Sequence, residues 1–478
     1  MLTKLWIDGK ATAASSGRTF DVLNPADGKV LARVAEGGAA DADKAVRAAL
    51  KAAEGPWGRM SARARGKVLL EISRLIRKHS EELALLETRN AGKPLADSRD
   101  EMGLAADVFE YYAGAANKHF GETIPVGGAG LDFTLREPVG VCALIVPWNF
   151  PLVIATWKLG PALACGNTVV LKPAPETPLT ALRLAELCAE AGLPDGVLNV
   201  LPGPGPSCGS ALVEHPLVRK VSFTGSTATG TWIMKAAADT MKRVSLELGG
   251  KSPNIVFYDA DLELAVEKSV WSVFGNAGQD CCARTRALVH KKVYDKFVSA
   301  FVARTKKIVV GHPEKKGSQI GPLISLRQRE RVCRYIDIGE TDGAELLCGG
   351  KLPGGALAKG FYLTPAVFTG VDPDMKIVRE EIFGPVVTIM PFKDEADAIR
   401  LANDSAYGLS GSLWTRDVGR VLRMSRAIQT GVLSVNTSSS VHLEAPFGGY
   451  KSSGVGRELG LKALDLYTEV KNVFVSSI

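Results

Sequence analysis

The 478-residue chain has only six histidines and eight cysteines, with no C-x-x-C pair and no His at zinc-ligand spacing from a cysteine. A metal is therefore not expected. Nor is there a long run of Lys or Arg. The net charge of +7 is dispersed, and the densest cluster, EKKG around Lys315, reads as a solvated turn, so nucleic acid is not expected as a partner. No apolar stretch reaches the roughly 20 residues of a membrane span. The longest, VCALIVPWNFPLVIATW from Val141 to Trp157, is broken by Pro147, Asn149 and Pro151 and reads as a buried strand, an irregular turn and the start of a helix. The opening MLTKLWIDGK has no apolar signal core. A reducing cytoplasm without membrane partners is the expected setting, in which most of the cysteines are plain buried thiols. Internal repeats, low-complexity tracts and flexible linkers are also missing.

Hydrophobic residues make up 46% and charged residues 23%, as in globular proteins generally, and the length predicts two or three domains. The N-terminal part carries two helical patterns, about Ala40–Glu54 and the long SARARGKVLLEISRLIRKHSEELALLETRN, with Leu69, Ile72, Leu75 and Ile76 on one face. Short β-rich runs then recur: VCALIVPWN, NTVVLKP, GVLNVLPG, KVSFTG and RVSLELGG. Helical patterns follow the second, third and fourth of them. This alternation predicts parallel strands with crossover helices, a Rossmann-like sheet whose ligands gather at the carboxyl ends of its strands. That rim would hold Asn149, Lys172, Gly203–Gly205, Thr224–Ser226 and Glu247. No G-x-G-x-x-G follows the first strand, and GSTATG is followed by Thr231 where a P-loop needs Lys. A nucleotide would have to be held otherwise, by Ser226 and the free N–H groups opening the next helix. A second α/β segment begins near SPNIVF, and the end, LYTEVKNVFVSSI, alternates as a strand that should pair with another element or another chain.

The chemistry concentrates in GNAGQDCCARTR, where Cys281 and Cys282 are adjacent. Disulfide geometry disfavours a bond between neighbours. Small residues at Ala277, Gly278 and Ala283 leave room to present a thiol, and cysteine is a strong nucleophile as the thiolate. Glu247 ends an apolar strand beside Gly249 and Gly250, a setting for a general base. Asn149 between aromatics and prolines could direct its amide at a developing oxyanion. Nucleophile, base and oxyanion donor are the minimum for acyl chemistry at a carbonyl. Taken singly, each residue has a structural reading too: buried thiol, helix cap, turn.

FGNAGQDCCARTR, LELGGKSPNIVF, PWNFP, LKPAPETPLTAL, FTGST, EEIFGPV and PFGGYKSSGVGRELG together resemble, in order and spacing, the hallmark motifs of the NAD(P)-dependent aldehyde dehydrogenase superfamily, from IDGK near the start to YTEVK near the end. The resemblance implies an aldehyde-to-acid oxidation of the hydrolytic, non-acylating type, with NAD or NADP as cofactor. It gives Cys281 as nucleophile, Glu247 as general base and Asn149 as oxyanion donor, joined by the Cys281 N–H. It implies cofactor contacts from Lys172 (adenosine ribose), Gly205 (adenine), Gly225 and Ser226 (pyrophosphate), Glu381 (nicotinamide ribose), Phe383, Ile145 and Trp148. The aldehyde tunnel would be lined by Phe150, Ile154, Trp157, Asp280, Cys282, Val441 and Phe447, favouring aliphatic, aromatic or amino aldehydes. His442 and Glu444 fall near its mouth, on a loop expected to face solvent. Where NAD-preferring relatives often carry Glu three residues after the lysine, this chain has Pro175, with Glu176 next.

The implied architecture is α/β: a Rossmann-like cofactor domain (1–116 and 139–248), an α/β catalytic domain (249–449), and a small β oligomerisation arm with the C-terminal tail (117–138 and 450–478), giving a homodimer or homotetramer. Two alternatives stand beside this reading: a coenzyme-A-acylating relative, against which the presence of Glu247 counts, and an inactive scaffold used for binding.

Overall fold

The computed structural model describes residues 2–439 and 441–477. Its first sheet has eight strands, with Val141–Ile145 hydrogen-bonded in parallel to Thr168–Lys172 on one side and to Lys220–Thr224 on the other. From that strand the chain winds outward, first to Leu198–Val200, then back across the sheet to Lys220–Thr224 and Arg243–Glu247. The three strands VCALI, TVVLK and KVSFT are buried at every position, as expected where helices cover both faces. The reversal of strand order beside Val141–Ile145 opens a crevice at the carboxyl ends, which places Asn149 and Thr224–Ser226 on either side of it. A hairpin, Leu5–Ile7 and Lys10–Thr12, closes one edge antiparallel.

The second sheet has seven strands and centres on Arg286–His290, paired in parallel with Pro253–Val256 and Val386–Phe392. Only the edge strand Glu345–Cys348 runs antiparallel. The α/β class and the Rossmann-like first sheet are as the sequence predicts. The long N-terminal helical pattern instead divides at His79 into Ala62–Lys78 and Ser80–Ala91. The break lets both segments pack on one long helix, Leu95–Ala115. Apolar periodicity cannot report it, because buried residues recur on either side.

The C-terminal strand Thr468–Ser476 finds its partner within the chain, pairing antiparallel with Gly130–Pro138 along its whole length. The residues just before it behave differently. Gly454–Val455 adds to the edge of the first sheet beside Leu246 and Glu247, and Leu459, Ala463, Leu464 and Tyr467 are buried in the core of that half. Among the described residues, no helix is long and apolar enough to cross a membrane.

Candidate active site

Cys281 is presented by a distorted turn. The helix Leu262–Phe274 ends at Gly275, and Asn276, Ala277 and Gly278 follow with φ of 50°, 54° and 70°. Three successive left-handed residues are costly for L-amino acids, about 1–2 kcal/mol at Ala277 alone, so neighbours must hold the turn in place. Gln279 does so with both ends of its amide: Nε2 donates to Asn276 O (3.2 Å) and Oε1 accepts from Ile324 N (2.9 Å). The Cys282 N–H donates to Asp280 Oδ1 at 2.9 Å.

Asn149 faces this turn. Its Nδ2 donates to Gln279 O at 3.0 Å. Its own carbonyl accepts from Lys93 Nζ (2.9 Å) and Asn276 Nδ2 (3.0 Å), and Lys93 is anchored in turn by the buried Glu101 carboxylate. Sequence reasoning missed Lys93, Glu101 and Asn276, since nothing in KPLADSRDE reveals a lysine that reaches a residue 56 positions away.

Glu247 is buried, and neither carboxylate oxygen has a hydrogen-bond partner. Its space depends on a glycine: a Cβ at Gly448 would lie 2.6 Å from Glu247 Oε1. Burial, followed by the nearby Glu458 carboxylate, raises the Glu247 pKa well above the usual carboxylate range. Glu458 itself is held by the buried Lys158 ammonium, whose Nζ also donates to Ser222 Oγ at 3.1 Å. This pair was not legible in the sequence. Lys158→Met is expected to destabilise the fold by about 3–5 kcal/mol, because it leaves the Glu458 charge buried without a counter-ion. Denaturant unfolding of the variant checks this.

The Cys281 thiol also titrates high, first because the Cys282 thiol lies alongside it, then through burial and the Asp280 and Glu381 carboxylates. At neutral pH the resting thiol is protonated, so attack requires a proton acceptor.

Two cavities meet at these groups. The larger, about 500 Å³, is lined by Phe150, Ile154, Trp157, Asp280, Cys282, Val441 and Phe447, all seven residues that the resemblance assigns to the tunnel. Its wall is mostly apolar, and Trp157 packs edge-on against Phe447. His442 and Glu444 are exposed. The smaller cavity, about 190 Å³, lies on the other side and is lined by Trp148, Gly225, Ser226, Glu381 and Phe383. Cys281 and Glu247 line both.

The smaller cavity has the features of a nucleotide cradle. Glu381 Oε1 accepts from Gly250 N at 3.0 Å, and a Cβ on Gly249 would come within 2.3 Å of Glu381 Oε2. Phe383 adopts φ of 61°, its carbonyl accepting from Gln328 Nε2 (2.7 Å) and its ring edge-on to Trp148. Ser226 caps the helix Thr227–Ala238 by accepting from Thr229 N, which leaves the N–H groups of Thr227 and Ala228 without an intrahelical partner. Lys172 and Gly205 lie further along the crevice. Lys172 pairs in register with Ile145, and its buried side chain runs beside the turn Gly205–Gly209. Burial lowers the Lys172 pKa. Pro175 and Glu176 follow in a turn, and the exposed Glu176 lines a cavity with Trp148, Gln328 and Arg331.

A model of the aldehyde dehydrogenase family matches residues 12–473. Among similar proteins, the mitochondrial aldehyde dehydrogenase family 2 member B4 of Arabidopsis thaliana is 49% identical over 474 residues, covering 98% of this chain and 88% of that one. A putative aldehyde dehydrogenase, DhaS, of Bacillus subtilis is 47% identical, covering 99% and 95%. The NAD+ complex of an aldehyde dehydrogenase from Bacillus cereus superposes with a TM-score of 0.98 at 45% identity, over 100% of this chain and 97% of that one.

Proposed function

Because this chain belongs to the aldehyde dehydrogenase family and is an NAD(P)-dependent oxidoreductase acting on aldehydes, we propose that it oxidises an aldehyde to the free acid through a covalent intermediate on Cys281. The observation that carries this reading is the placement of one thiol and one unpartnered carboxyl, Cys281 and Glu247, on the walls of both cavities. An aldehyde entering past Phe150, Trp157 and Phe447 meets Cys281 Sγ from one side. The dinucleotide would be held from the other by Lys172, Gly205, Gly225, Ser226, Glu381 and Phe383, with Ile145 and Trp148 beside it. Bound there, the nicotinamide ring supplies the hydride acceptor.

Cys281 gives up its proton to solvent water in the cavity and its sulfur adds to the aldehyde carbon, converting the carbonyl oxygen to an oxyanion that Asn149 Nδ2 and the Cys281 N–H stabilise. Collapse of this tetrahedral adduct, with loss of hydride, leaves a thioester on Cys281. Glu247 then takes a proton from water, whose oxygen attacks the thioester and releases the acid. Burial and the neighbouring Glu458 carboxylate raise the basicity of Glu247 for that step. Deacylation therefore needs the deprotonated form, and its rate rises as pH climbs through the raised Glu247 pKa.

The mostly apolar tunnel favours aliphatic or aromatic aldehydes, with amino aldehydes also accommodated. A rate survey across these three classes, each with NAD+ and NADP+, tests substrate and cofactor preference together. Formation of acyl-CoA, with little free acid when coenzyme A is withheld, would favour the acylating alternative. If no aldehyde reduces cofactor, the non-enzymatic reading gains. Gly249→Ala is expected to raise the KM for NAD+ at least about tenfold with a smaller effect on the aldehyde KM, since its methyl would displace Glu381. Steady-state kinetics checks this.

We further assign cofactor binding to the first-sheet half (1–116 and 139–248) and catalysis to the second (249–449). The three-stranded arm would join copies into a dimer or tetramer. Leu131, Leu135, Val470, Phe474 and Val475 are exposed on it, an apolar surface that pairing would cover. The eight free cysteines fit a reducing cytoplasm.

A further inference from the structure

We propose that Asp280, Cys281 and Cys282 form a binding site for a thiophilic divalent cation, Zn2+ being the type, and that the bound cation inhibits the enzyme by taking its nucleophile as a ligand. The inhibition rests on the reading of Cys281 given above; the binding does not.

A carboxylate oxygen and two sulfurs from these residues lie within 4.8 Å of one another, and among the described residues no other three His, Cys, Asp or Glu side chains form such a group. Tetrahedral zinc, with bonds of about 2.3 Å to sulfur and about 2.0–2.2 Å to oxygen, holds its ligand atoms roughly 3.5–3.8 Å apart. Side-chain rotation of about an ångström closes the difference. The backbone cannot relax away, because the left-handed turn before it is pinned by Gln279 and Asn276. The Cys282 N–H already orients Asp280 through Oδ1.

A second, independent feature points to a cation. Glu247 lines the same cavity, is buried, has no partner for either oxygen and interacts electrostatically with the Cys282 thiol. It faces the cavity into which the trio opens, where it would accept from a zinc-bound water. With both thiols and Asp280 ionised, the trio carries three negative charges. The buried cations nearby, Arg284 and Lys93, bond the Cys282 carbonyl and the Glu101 carboxylate and offset only part of that charge. Binding releases one proton from each thiol to solvent and forms two Zn–S bonds, with no change of oxidation state. A lone nucleophilic cysteine would offer one thiolate; here the neighbour makes a chelate. Hard cations such as Mg2+ gain nothing from sulfur.

The test uses the whole enzyme. Zn2+ titrated against a chromophoric chelator is expected to bind one equivalent at this site. Co2+ should produce a thiolate-to-cobalt charge-transfer band, and Zn2+ should protect the peptide holding Cys281 and Cys282 from iodoacetamide, read by mass spectrometry. Removing an outer-shell partner of a metal typically costs about 10–100-fold in affinity, so losing a direct ligand in Cys282→Ser is expected to cost at least that, and to raise the Zn2+ concentration for half-inhibition in parallel. Asp280→Asn provides a second variant with a smaller loss, and adding chelator should restore wild-type activity. The proposal is overturned if Cys282→Ser and Asp280→Asn bind Zn2+ as tightly as wild type, or if protection falls on Cys333 and Cys348 instead. Protection of Cys281 with aldehyde oxidation unaffected would leave the metal site standing and remove Cys281 as nucleophile.

Discussion

Cys281→Ala is expected to lower aldehyde-dependent reduction of NAD+ by at least about four orders of magnitude, because removing an attacking nucleophile forfeits the covalent route itself. Cys282→Ala is expected to keep most of the activity. Both thiols lie in the same cavity a few ångströms apart, so the asymmetry comes from what surrounds each one. Cys281 also lines the smaller cavity with Asn149, Glu381 and Phe383, whereas Cys282 lines only the aldehyde side. Stopped-flow or steady-state absorbance of the reduced cofactor measures both variants. Equal loss from the two would overturn the assignment. Cys282→Ala should also lower the Cys281 thiol pKa, since the neighbouring thiol is the leading cause of its elevation.

Glu247→Gln is expected to slow steady-state turnover by about 10²–10⁴-fold, the range associated with loss of a general base. The step affected distinguishes this role from simple disruption. The amide fills the same space against Gly448 yet cannot accept a proton from water, so acylation outruns hydrolysis and the thioester accumulates. A burst of reduced cofactor followed by a slow steady rate, and an acylated Cys281 peptide by mass spectrometry, are the expected signatures. The rising limb of activity with pH, which reports Glu247 losing its proton, should flatten in the variant. Normal turnover in Glu247→Gln would remove Glu247 from the mechanism.

Much of this site was legible because its residues sit in short, locally stiff segments. PWNFP follows a strand and opens a helix; FTGST does the same; LELGG ends a strand in two glycines. Each reads as a strand terminus on a parallel sheet, and one topology brings such termini to a common rim. The tunnel residues came from motif position, and they line one cavity because Pro151–Ala164 offers Ile154 and Trp157 on one side while Val441 and Phe447 return to it from far along the chain.

What remained illegible shares a physical cause. Lys93 anchoring the Asn149 carbonyl, Lys158 neutralising Glu458, Gly448 making room for Glu247 and Gln328 holding Phe383 are contacts between segments 55 to 300 residues apart. A lysine that would be solvated in isolation is buried only once another segment supplies its counter-ion. The left-handed conformation of Ala277 is likewise invisible in its identity, since alanine does not favour it and only the hydrogen bonds of Asn276 and Gln279 impose it.

The sequence by itself determined the parallel-sheet class, because strand periodicity is a local property of the chain, and its resemblance to a family's motifs nominated one thiol, one carboxyl and one amide for a common chemistry. Tertiary structure alone decided how those groups are charged, held and approached. Burial, counter-ions and the meeting of two cavities at Cys281 arise from segments that approach one another only when the chain folds.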